Sequence, residues 1–510
     1  MAKSKTIQFL KRYHKWPSLL LTLFIILFSI SGIIMNHRAL FSSCDVNRKY
    51  LGSEYQYKNW NKAAVKSALH LNDESSLIYG NIGVWKSSDN FKSFSDFNSG
   101  FPEGIDNWKI EKVIQTKSGE LLAGTLFGLY QHKDNEWYKL ELPVKEERVV
   151  DFMEIGEDLY ILTRSHLLKK VDDTFEIVNI PASTDYDGKT SLFKTLWEIH
   201  SGEAFGTIGK LFVDFVGFIF LFLSFSGLVY FFFPDWIKRI KKRGGIVKRK
   251  ISFLKFNLKW HNHFGNWLIV FLILTTLTGM FLRPPLLIAI ANSRVDKIPF
   301  THLDNPNPWY DQLRRVLYDE DLNRVVLATN EGLYYSDNLF KTPPQRFEHQ
   351  PPVSVMGVNV LEKAGEDQYL VGSFSGIFYW MPERNLIFDY ITKRPHVPVR
   401  RMGPPIAAHP IAGYLKDKEG REILFDYNLG AGNISDDTGF TSMPAEIQDS
   451  PMSLWNLCLE VHTGRIYQYI FGKLYILFIP IAGLTILWIL IVGYLLYRKQ
   501  YKSVGKRMEK

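Results

Sequence analysis

Four histidines of this 510-residue chain occur in two repeated contexts. His14 and His261 each begin an apolar stretch that reaches a Ser-Gly or Thr-Gly pair eighteen residues after the histidine, in HKWPSLLLTLFIILFSISG and HNHFGNWLIVFLILTTLTG. His200 and His462 each lie in a Glu-X-His-(Ser/Thr)-Gly box ahead of another apolar stretch. A neutral imidazole binds iron through one ring nitrogen, and a six-coordinate haem takes one ligand from each face. Histidines that recur in pairs are therefore candidate haem ligands.

The repeated contexts indicate a tandem duplication. The boxes EIHSGEAFGTIGKL, from Glu198, and EVHTGRIYQYIFGKL, from Glu460, both end in a Gly-Lys-Leu triplet and continue into a hydrophobic run of membrane length. A fixed offset between a histidine and a small-residue pair, across otherwise apolar sequence, rarely arises by chance. Each half of the chain is thus predicted to be a helix, a large loop and a second helix.

Four apolar runs of roughly 20 residues are each long enough to cross a hydrocarbon core of about 30 Å, because a helix rises about 1.5 Å per residue. The first run could instead be a cleaved signal peptide, but its apolar core is too long and no A-x-A-type site follows it. We expect a membrane protein with the following segments: a cytoplasmic N-terminus (1–16), transmembrane helices (17–36, 207–234, 261–283 and 471–497), extracytoplasmic β-rich halves (37–206 and 284–470), a basic cytoplasmic link (235–260) and a cytoplasmic C-terminus (498–510).

Positive charge is concentrated in three short segments. Residues 1–16, 235–260 and 498–510 hold 21 basic and 2 acidic residues, although the net charge of the whole chain is only +9. Short basic segments stay in the cytoplasm, so both termini and the link are predicted to be cytoplasmic and both loops extracytoplasmic. The run KRIKKRGGIVKRK lies between two membrane helices, so we expect anionic membrane lipid as its partner and no nucleic acid.

The two large loops carry strand patterns rather than helical ones. Alternating apolar residues and turn-forming Asp, Asn and Gly occur in stretches such as LLAGTLFGLYQHKDNEWYKL and YLVGSFSGIFYWMPERNLIFDYI. Gly83 and Gly128 are 45 residues apart, and Gly332 and Gly376 are 44 apart, which matches the length of a four-stranded propeller blade. We expect one all-β, propeller-like domain to which each loop supplies about three blades. A separate β-sandwich from each loop is the alternative.

Both cysteines of the chain, Cys44 and Cys458, fall in the extracytoplasmic halves, a few residues from predicted membrane boundaries. A disulfide that joins the two halves is chemically permitted in an oxidising compartment. Two lone cysteines do not establish that their thiols are close together. The paired and the free state both stay open at this point.

The predicted topology divides the repeated histidines into an inner and an outer pair. His14 and His261 fall at the cytoplasmic ends of the first and third membrane helices, whereas His200 and His462 precede the outer ends of the second and fourth. We expect two b-type haems, one near each leaflet, with two histidine ligands each. Such haems would carry an electron across a layer that is too apolar for a free charge.

Two further histidines lack a repeated counterpart. His37, in the sequence NHR just outside the first helix, could replace an outer ligand, donate to a haem propionate or face the substrate, and we include it among the cofactor-binding residues. His263 is the equivalent surplus group on the inner side. For any one of these histidines alone, solvation by lipid headgroups at the interface is the common alternative.

Three acidic residues could support the histidines. Asp214 lies about one turn into the second membrane helix, where a carboxylate is costly, so it is a candidate to orient a histidine or relay a proton, unless it only extends outward. Glu198 and Glu460 precede the box histidines by two residues and could orient them. Small residues on the helices would let a flat macrocycle approach the backbone, or would only pack helices together: Gly32, Gly217, Gly227, Gly279 and Gly483.

The sequence contains no G-x-G-x-x-G, Walker A, H-E-x-x-H, G-x-S-x-G or paired C-x-x-C motif. The predicted cytoplasmic segments are also too short to form a nicotinamide- or flavin-binding domain. Electrons must therefore come from a membrane quinol or from a separate donor protein.

The boxes H-K-W-P-S…S-G, E-V-H-T-G-R and H-S-G…G-K-L…D…S-G, with the pair Asn36-His37 at the end of the first helix, resemble the PepSY-associated transmembrane family of bacterial inner-membrane proteins. The resemblance covers the four helices and their flanks. The chain departs from the family pattern in two places. The usual small periplasmic PepSY domain is not evident, and Pro17-Ser18 stands where an apolar-glycine pair is usual.

The resemblance implies a haem-containing reductase that acts on ferric siderophores or related iron complexes at the periplasmic face. It also implies that His14, His261, His200 and His462 are the axial ligands. Because strand-rich loops replace the usual PepSY domain, the substrate does not carry over from the family.

These patterns predict a four-helix, di-haem b-type cytochrome of the bacterial inner membrane with an extracytoplasmic, propeller-like domain. It would pass electrons outward from quinol or a donor protein and reduce ferric iron in a siderophore or another chelate. Reduction releases the iron because hard oxygen ligands bind ferrous iron less tightly. The rivals are a non-catalytic receptor or assembly factor with a ligand-binding propeller, and a transporter. Haem content distinguishes the cytochrome from both.

Overall fold

A computed structural model describes residues 2–145, 147–354, 356–397, 407–433 and 440–508. The chain forms two compact units, and each unit takes segments from both halves of the sequence. The first, called unit 1, comprises Met1–Phe41, Gly188–Asp304 and Trp455–Lys510. The second, called unit 2, comprises Ser42–Asp187 and Asn305–Leu454.

Unit 1 contains nearly all of the α-helical residues. The α-helices of the described residues are α1 (Ala2–Asn36), α2 (Leu192–Ser201), α3 (Gly206–Lys242), α4 (Lys248–Trp267), α5 (Ile269–Phe281), α6 (Leu286–Ile290), α7 (Ala445–Gln448), α8 (Leu454–His462), α9 (Gln468–Phe471) and α10 (Phe478–Met508). Helices α1, α3, α5 and α10 pack around a shared apolar core that includes Leu21, Val216, Leu272 and Ile489.

Three helical segments are long and apolar enough to cross a membrane: Lys5–Asn36, Glu203–Lys242 and Arg465–Lys499. The third predicted membrane helix is instead broken, because α4 and α5 meet at a bend of 65° beside Leu268. The two helices qualify as a fourth span only if they are taken together. The prediction of one continuous helix over residues 261–283 is therefore wrong, because this segment is bent.

The helix boundaries differ from the predicted membrane boundaries. Helix α1 begins at Ala2 rather than at residue 17, and α3 continues to Lys242, inside the predicted basic link. Hydropathy marks where lipid contact would begin, whereas a helix continues as long as its backbone hydrogen bonds do, and charged residues do not interrupt these bonds. The fourth helix starts later than predicted, because a 3₁₀ segment, Gly472–Leu477, precedes α10.

The strands of the first half are short and closely spaced. They are β1 (Asp45–Val46), β2 (Ser67–His70), β3 (Ser76–Gly80), β4 (Gly83–Ser87), β5 (Ser95–Asp96), β6 (Ile110–Gln115), β7 (Leu121–Thr125), β8 (Gly128–Lys133), β9 (Glu136–Leu140), β10 (Val149–Ile155), β11 (Asp158–Thr163), β12 (Leu167–Val171), β13 (Thr174–Val178) and β14 (Lys189–Ser191).

The second half repeats this organisation. Its strands are β15 (Arg294–Asp296), β16 (Leu313–Asp319), β17 (Arg324–Thr329), β18 (Leu333–Ser336), β19 (Gln345–Arg346), β20 (Val358–Gly365), β21 (Gln368–Ser373), β22 (Gly376–Met381), β23 (Leu386–Asp389), β24 (Ile411–Lys416), β25 (Glu422–Asp426), β26 (Gly430–Asn433) and β27 (Met452–Ser453).

Unit 2 consists mainly of small antiparallel sheets whose strands pair in sequence order. Each half supplies three of them: β2 to β5, β6 to β9 and β10 to β13 from the first half, and β16 to β19, β20 to β23 and β24 to β26 from the second. Gly83, Gly128, Gly332 and Gly376 all lie at the tight turn between the second and third strands of a sheet. Each has a positive φ, which glycine adopts without steric cost. The spacing of about 45 residues thus reflects equivalent turns in neighbouring sheets.

Each of these sheets packs against its neighbours in sequence through both faces. On β7, Leu121 and Ala123 face the preceding sheet, whereas Leu122 faces the following one. Residues alternate between the two faces of a strand, so a sheet that is covered on both faces has consecutive apolar residues in its strands. The last sheet packs against the first, where Phe425 shares a core with Ile78.

Some helices that the sequence assigned to the β-rich loops belong to unit 1, including α2 with the first histidine box, α6, and α8 with the second box apart from its first residue. Helix α2 packs with α3 and α5. Helix α8 contacts α1, because Trp455 Nε1 donates to Met35 O at 3.1 Å. The expected β-rich halves, 37–206 and 284–470, therefore extend into unit 1 at both ends. Both cysteines are free thiols, Cys44 exposed and Cys458 buried.

Candidate functional site

Helix α1 carries a repeated residue near each end of its apolar stretch. Eighteen residues make five full turns of 3.6 residues, so His14 and Gly32 lie on the same face of α1, about 27 Å apart along its axis. The corresponding residues of the second half, His261 and Gly279, lie on α4 and α5, on either side of the bend. Each half therefore supplies one such histidine and, eighteen residues later, one glycine.

The structure brings the four repeated histidines together as two pairs. The ring centroids of His14 and His261 are 6.3 Å apart, with the ring planes at 79°. Those of His200 and His462 are 5.9 Å apart, with the planes at 57°. These are the two pairings that the sequence predicted, although the role of the histidines as ligands stays a prediction. No group of three or more His, Cys, Asp or Glu side chains in the described ranges is placed to hold a metal ion.

The Nδ1 atoms of the His200–His462 pair are held by hydroxyl and carbonyl oxygens of the opposite half. A carbonyl oxygen can only accept, so each Nδ1 that faces one carries the proton and leaves the lone pair of the neutral ring on Nε2. The contacts are His462 Nδ1 to Phe28 O at 3.0 Å and Ser31 Oγ at 3.1 Å, and His200 Nδ1 to Thr275 O at 3.0 Å and Thr278 Oγ1 at 3.3 Å.

In the His14–His261 pair, one histidine contacts a carbonyl oxygen and the other contacts a hydroxyl oxygen. His14 Nδ1 donates to Ile489 O at 3.1 Å, whereas His261 Nδ1 lies 2.7 Å from Ser226 Oγ. Ser226 donates its own hydroxyl hydrogen to Leu223 O, so its oxygen accepts from His261. In the described part of the chain, no hydrogen bond engages the Nε2 atom of any of the four histidines, which is thus available as a ligand.

A glycine packs against the edge of each paired imidazole. A Cβ atom built on the glycine would come close to Cε1 of the ring: 2.6 Å for Gly279 and His200, 2.9 Å for Gly493 and His14, 3.1 Å for Gly32 and His462, and 3.9 Å for Gly227 and His261. The Ser-Gly and Thr-Gly pairs therefore hold histidines, since the hydroxyl binds Nδ1 and the glycine leaves room for the ring.

Two roles were considered for these glycines, and the approach of a macrocycle stays a prediction. Gly32, Gly227 and Gly279 each contact an imidazole ring. A side chain at Gly217 would meet Ile33, and one at Gly483 would meet Met280, so these two glycines serve helix packing.

His37 is bound by Asp214 rather than paired with another histidine. His37 Nε2 lies 2.6 Å from Asp214 Oδ2, and Asn36 Nδ2 donates to Asp214 Oδ1 at 3.0 Å and to Ser201 O at 3.2 Å. Both carboxylate oxygens of this buried residue thus have partners, which offsets the cost of placing it in an apolar helix. Of the roles considered for Asp214, orienting a histidine fits, and the histidine is His37.

Comparison with known families identifies the chain. A model of the PepSY-associated TM region matches residues 2–233 and 169–500. The chain belongs to the PepSY-associated TM region family. Two overlapping matches along one chain agree with the tandem arrangement of the histidine boxes. No curated protein matches the sequence.

Solved structures resemble this PepSY-associated protein only distantly. The extracellular domain of the hybrid two-component system BT4673 from B. thetaiotaomicron shares 11% identity at a TM-score of 0.35, over 76% of this chain and 39% of that one. The corresponding domain of BT3049 shares 10% identity at a TM-score of 0.32, over 75% of this chain and 44% of that one. The chain thus spans less than half the length of these domains, and likenesses at such TM-scores support no further conclusion.

The other predicted residues of this PepSY-associated protein lie apart from the paired rings. His263 stacks among aromatic side chains, with Trp260 at 5.5 Å and Trp267 at 6.5 Å between centroids. Glu460 forms an ion pair with Arg465 at 2.5 Å. The Nδ1 atoms of the box histidines are bound by the opposite half, so the expectation that Glu198 and Glu460 orient them is wrong.

Two arginines that follow residues of the His200–His462 site in sequence escaped the sequence analysis. Arg465 is the last residue of the box EVHTGR, three residues after His462, and Arg283 follows Gly279 by four residues. Arg465 keeps a buried Nε with no partner, and the buried hydroxyl of Tyr467 also lacks one. A comparison of the halves could have found both arginines, because Asn36 and Glu203 occupy the matching positions of the first half.

Proposed function

We propose that unit 1 is a di-haem b-type cytochrome and that the protein reduces an extracytoplasmic ferric chelate. The observation that carries this proposal is the formation of two histidine pairs in which every Nδ1 is occupied and every Nε2 is available. Histidines with a purely structural role are not expected to pair with each other while the Nε2 atom of every ring stays without a hydrogen bond. Histidines that ligate a metal donate from the other ring nitrogen as a rule.

The spacing of the rings fits a haem between them. Metal–imidazole bonds are about 2 Å long and each ring centroid lies about 1 Å behind its nitrogen, so two axial histidines have centroids about 6 Å apart. The measured separations are 6.3 and 5.9 Å. His14 with His261 would hold the inner haem, and His200 with His462 the outer one. Bound b-haem supplies a one-electron couple, which no side chain of this site provides.

The protein's own groups would fix the ligands before any cofactor arrives. The carbonyl oxygens of Phe28, Thr275 and Ile489 and the hydroxyl of Ser226 select the tautomer with its lone pair on Nε2. The same hydrogen bonds set the rotation of each ring and raise its basicity.

The membrane arrangement follows from the helices and the charge pattern. Helices α1, α3 and α10 would each cross the bilayer, and the bent pair α4 and α5 would form the fourth crossing. Basic residues in 1–16, 235–260 and 498–510 favour a cytoplasmic location for both termini in a bacterial inner membrane. Electrons would enter from quinol or from a separate donor protein and leave on the extracytoplasmic side.

Unit 2 would form a six-bladed propeller in that extracytoplasmic space. Its sheets pack in sequence order, and the last packs on the first. Hydrogen bonds also join innermost strands, including Tyr414 N to Lys66 O and Asn359 Nδ2 to Ile411 O. A ferric siderophore or another iron chelate is the proposed acceptor, because one electron converts ferric iron to the ferrous ion, which hard oxygen ligands hold less tightly.

A dithionite-reduced minus oxidised spectrum of the detergent-purified protein, with pyridine haemochrome quantitation, tests the cytochrome directly. We expect b-type bands and about two haems per chain, as two bis-histidine sites require. A preparation that stays colourless after expression with added haem precursor would overturn the proposal and favour the receptor alternative.

Single-histidine variants test the ligand assignment. His14→Ala or His261→Ala should remove about one haem equivalent, and His200→Ala or His462→Ala the other, because a six-coordinate site needs both ligands. His263→Ala is the matched control, since His263 lies two residues from His261 but outside the pair. Full haem content in all four ligand variants would show that the assignment is wrong.

A further inference from the structure

The two halves of unit 1 place different charges beside the His200–His462 pair. In the first half, Asn36 binds Asp214 and Ser201, and Glu203 pairs with Lys210 at 2.9 Å. The polar groups there satisfy one another. The second half has arginine at both matching positions, and these arginines are less completely paired.

Arg283 is a cation without a partner of its own. Within the described ranges, no hydrogen bond or ion pair reaches its half-buried side chain. It lies within Coulombic range of Arg465, which repels it, and of Glu460, which attracts it. Glu460 is already bound to Arg465, whose Nε is buried and unpaired. The cluster therefore holds two positive charges and one negative charge.

An unbalanced positive charge in a partly desolvated place is costly unless an anion joins it. The planar guanidinium group matches a carboxylate with two parallel hydrogen bonds. Arg465 lies three residues from His462, and Arg283 lies four residues from the glycine that packs on His200. Both cations are thus close in sequence to residues that form or contact the same histidine pair.

We propose that Arg283 and Arg465 form a carboxylate-binding site beside the His200–His462 pair. The carboxylates have two possible sources, which are the propionates of the outer haem and an external chelate such as citrate. The first source rests on the proposed function, whereas the second does not require haem.

The test uses the full-length protein with Arg283→Gln, Arg465→Gln and the double variant. Arg283→Gln is the safer single change, because it leaves no ion-pair partner behind. Arg465→Lys keeps the charge but loses the planar fork. Arg294→Gln is the matched control, because Arg294 is an exposed arginine of the same unit. Haem content and the midpoint potentials of the haems are measured together with the affinity for citrate.

If propionates occupy the site, the glutamine variants should lower the midpoint potential of one haem or release it, because removal of positive charge favours the ferric form. The other haem and Arg294→Gln should be unchanged. If an external carboxylate occupies the site, citrate affinity should fall by at least about tenfold with both haems unchanged. A double variant that alters neither property overturns the proposal. A wild-type protein without haem would defeat the proposed function alone, and citrate binding would then decide about the arginines.

Discussion

The two histidine pairs are built from the same parts but are supported unequally. In the His200–His462 pair, each Nδ1 contacts both a hydroxyl and a carbonyl oxygen. In the other pair, His14 contacts a carbonyl only and His261 a hydroxyl only. The glycine contacts differ as well, since Gly227 lies further from its ring than the other three glycines do. Duplication thus preserved the positions of the paired histidines while the supporting contacts diverged.

The largest difference between the two histidine pairs should appear when the glycines that contact the rings are replaced by alanine. In Gly279→Ala the new Cβ would lie 2.6 Å from His200 Cε1, so the ring must move. We expect the free energy of unfolding to fall by about 3 kcal/mol and one haem to be lost. Gly227→Ala is the control, because its Cβ would lie 3.9 Å from His261 Cε1. It should gain about 0.5–1 kcal/mol as a helical alanine.

Denaturant unfolding in detergent and haem quantitation measure both glycine variants. Equal losses in the two variants would mean that contact with the ring does not govern either site.

The polar group of Asn36, His37 and Asp214 offers a second test. Asp214→Leu introduces the residue that the second half has at the matching position, Leu477 of the 3₁₀ segment Gly472–Leu477. It removes the acceptor of His37 Nε2 and one of the two acceptors of Asn36 Nδ2. We expect a loss of about 2 kcal/mol in the free energy of unfolding, because these partly buried donors would lose an acceptor. Asp235→Leu, on the same helix but exposed, should change it little. If both variants unfold alike, the carboxylate contributes nothing to the packing of α1 on α3.

The hydroxyl groups should show a smaller effect. In the described residues, Ser226 Oγ is the sole acceptor for His261 Nδ1, whereas His200 keeps Thr275 O when Thr278 is changed. Ser226→Ala should therefore cost about 1 kcal/mol of unfolding free energy, and Thr278→Val less than about 0.5 kcal/mol. Potentiometric titration should show a shifted midpoint for one haem in the first variant. A larger shift from Thr278→Val would reverse the proposed order of support.

The smallest effect is expected from the cysteines, because labelling their thiols tests the packing of α8 without altering either histidine pair. Cys458 lies on α8, the helix that ends at His462, and burial raises the pKa of its thiol to about 11. At pH 7.5 maleimide should label Cys44→Ser, which keeps Cys458, far more slowly than Cys458→Ser, which keeps the exposed Cys44. The slow rate should rise with pH, since the thiolate is the reactive form. Equal rates would show that α8 does not stay packed.

The sequence predicted the histidine pairs because their chemistry is tied to a repeated spacing along each helix. The sheets were also predictable, since Gly83 and Gly128 mark equivalent turns. The bend at Leu268 was not, because Gly265, three residues before it, is also tolerated inside a helix and the 18-residue offset continues through the bend. The carbonyl groups of Phe28 and Ile489 have no side-chain signal, so the support of the rings had to come from the structure.

Helix α1 serves both pairs, since it contributes His14 to one and the carbonyl of Phe28 and Gly32 to the other. Its length therefore sets the separation of the two sites, and its pitch sets their relative rotation. Inserting one residue midway would turn the Phe28 to Gly32 segment by about 100° relative to His14. An intact set of histidines would then fail to form both pairs at once. We therefore expect this helix to tolerate substitution of its apolar residues more readily than any change in their number.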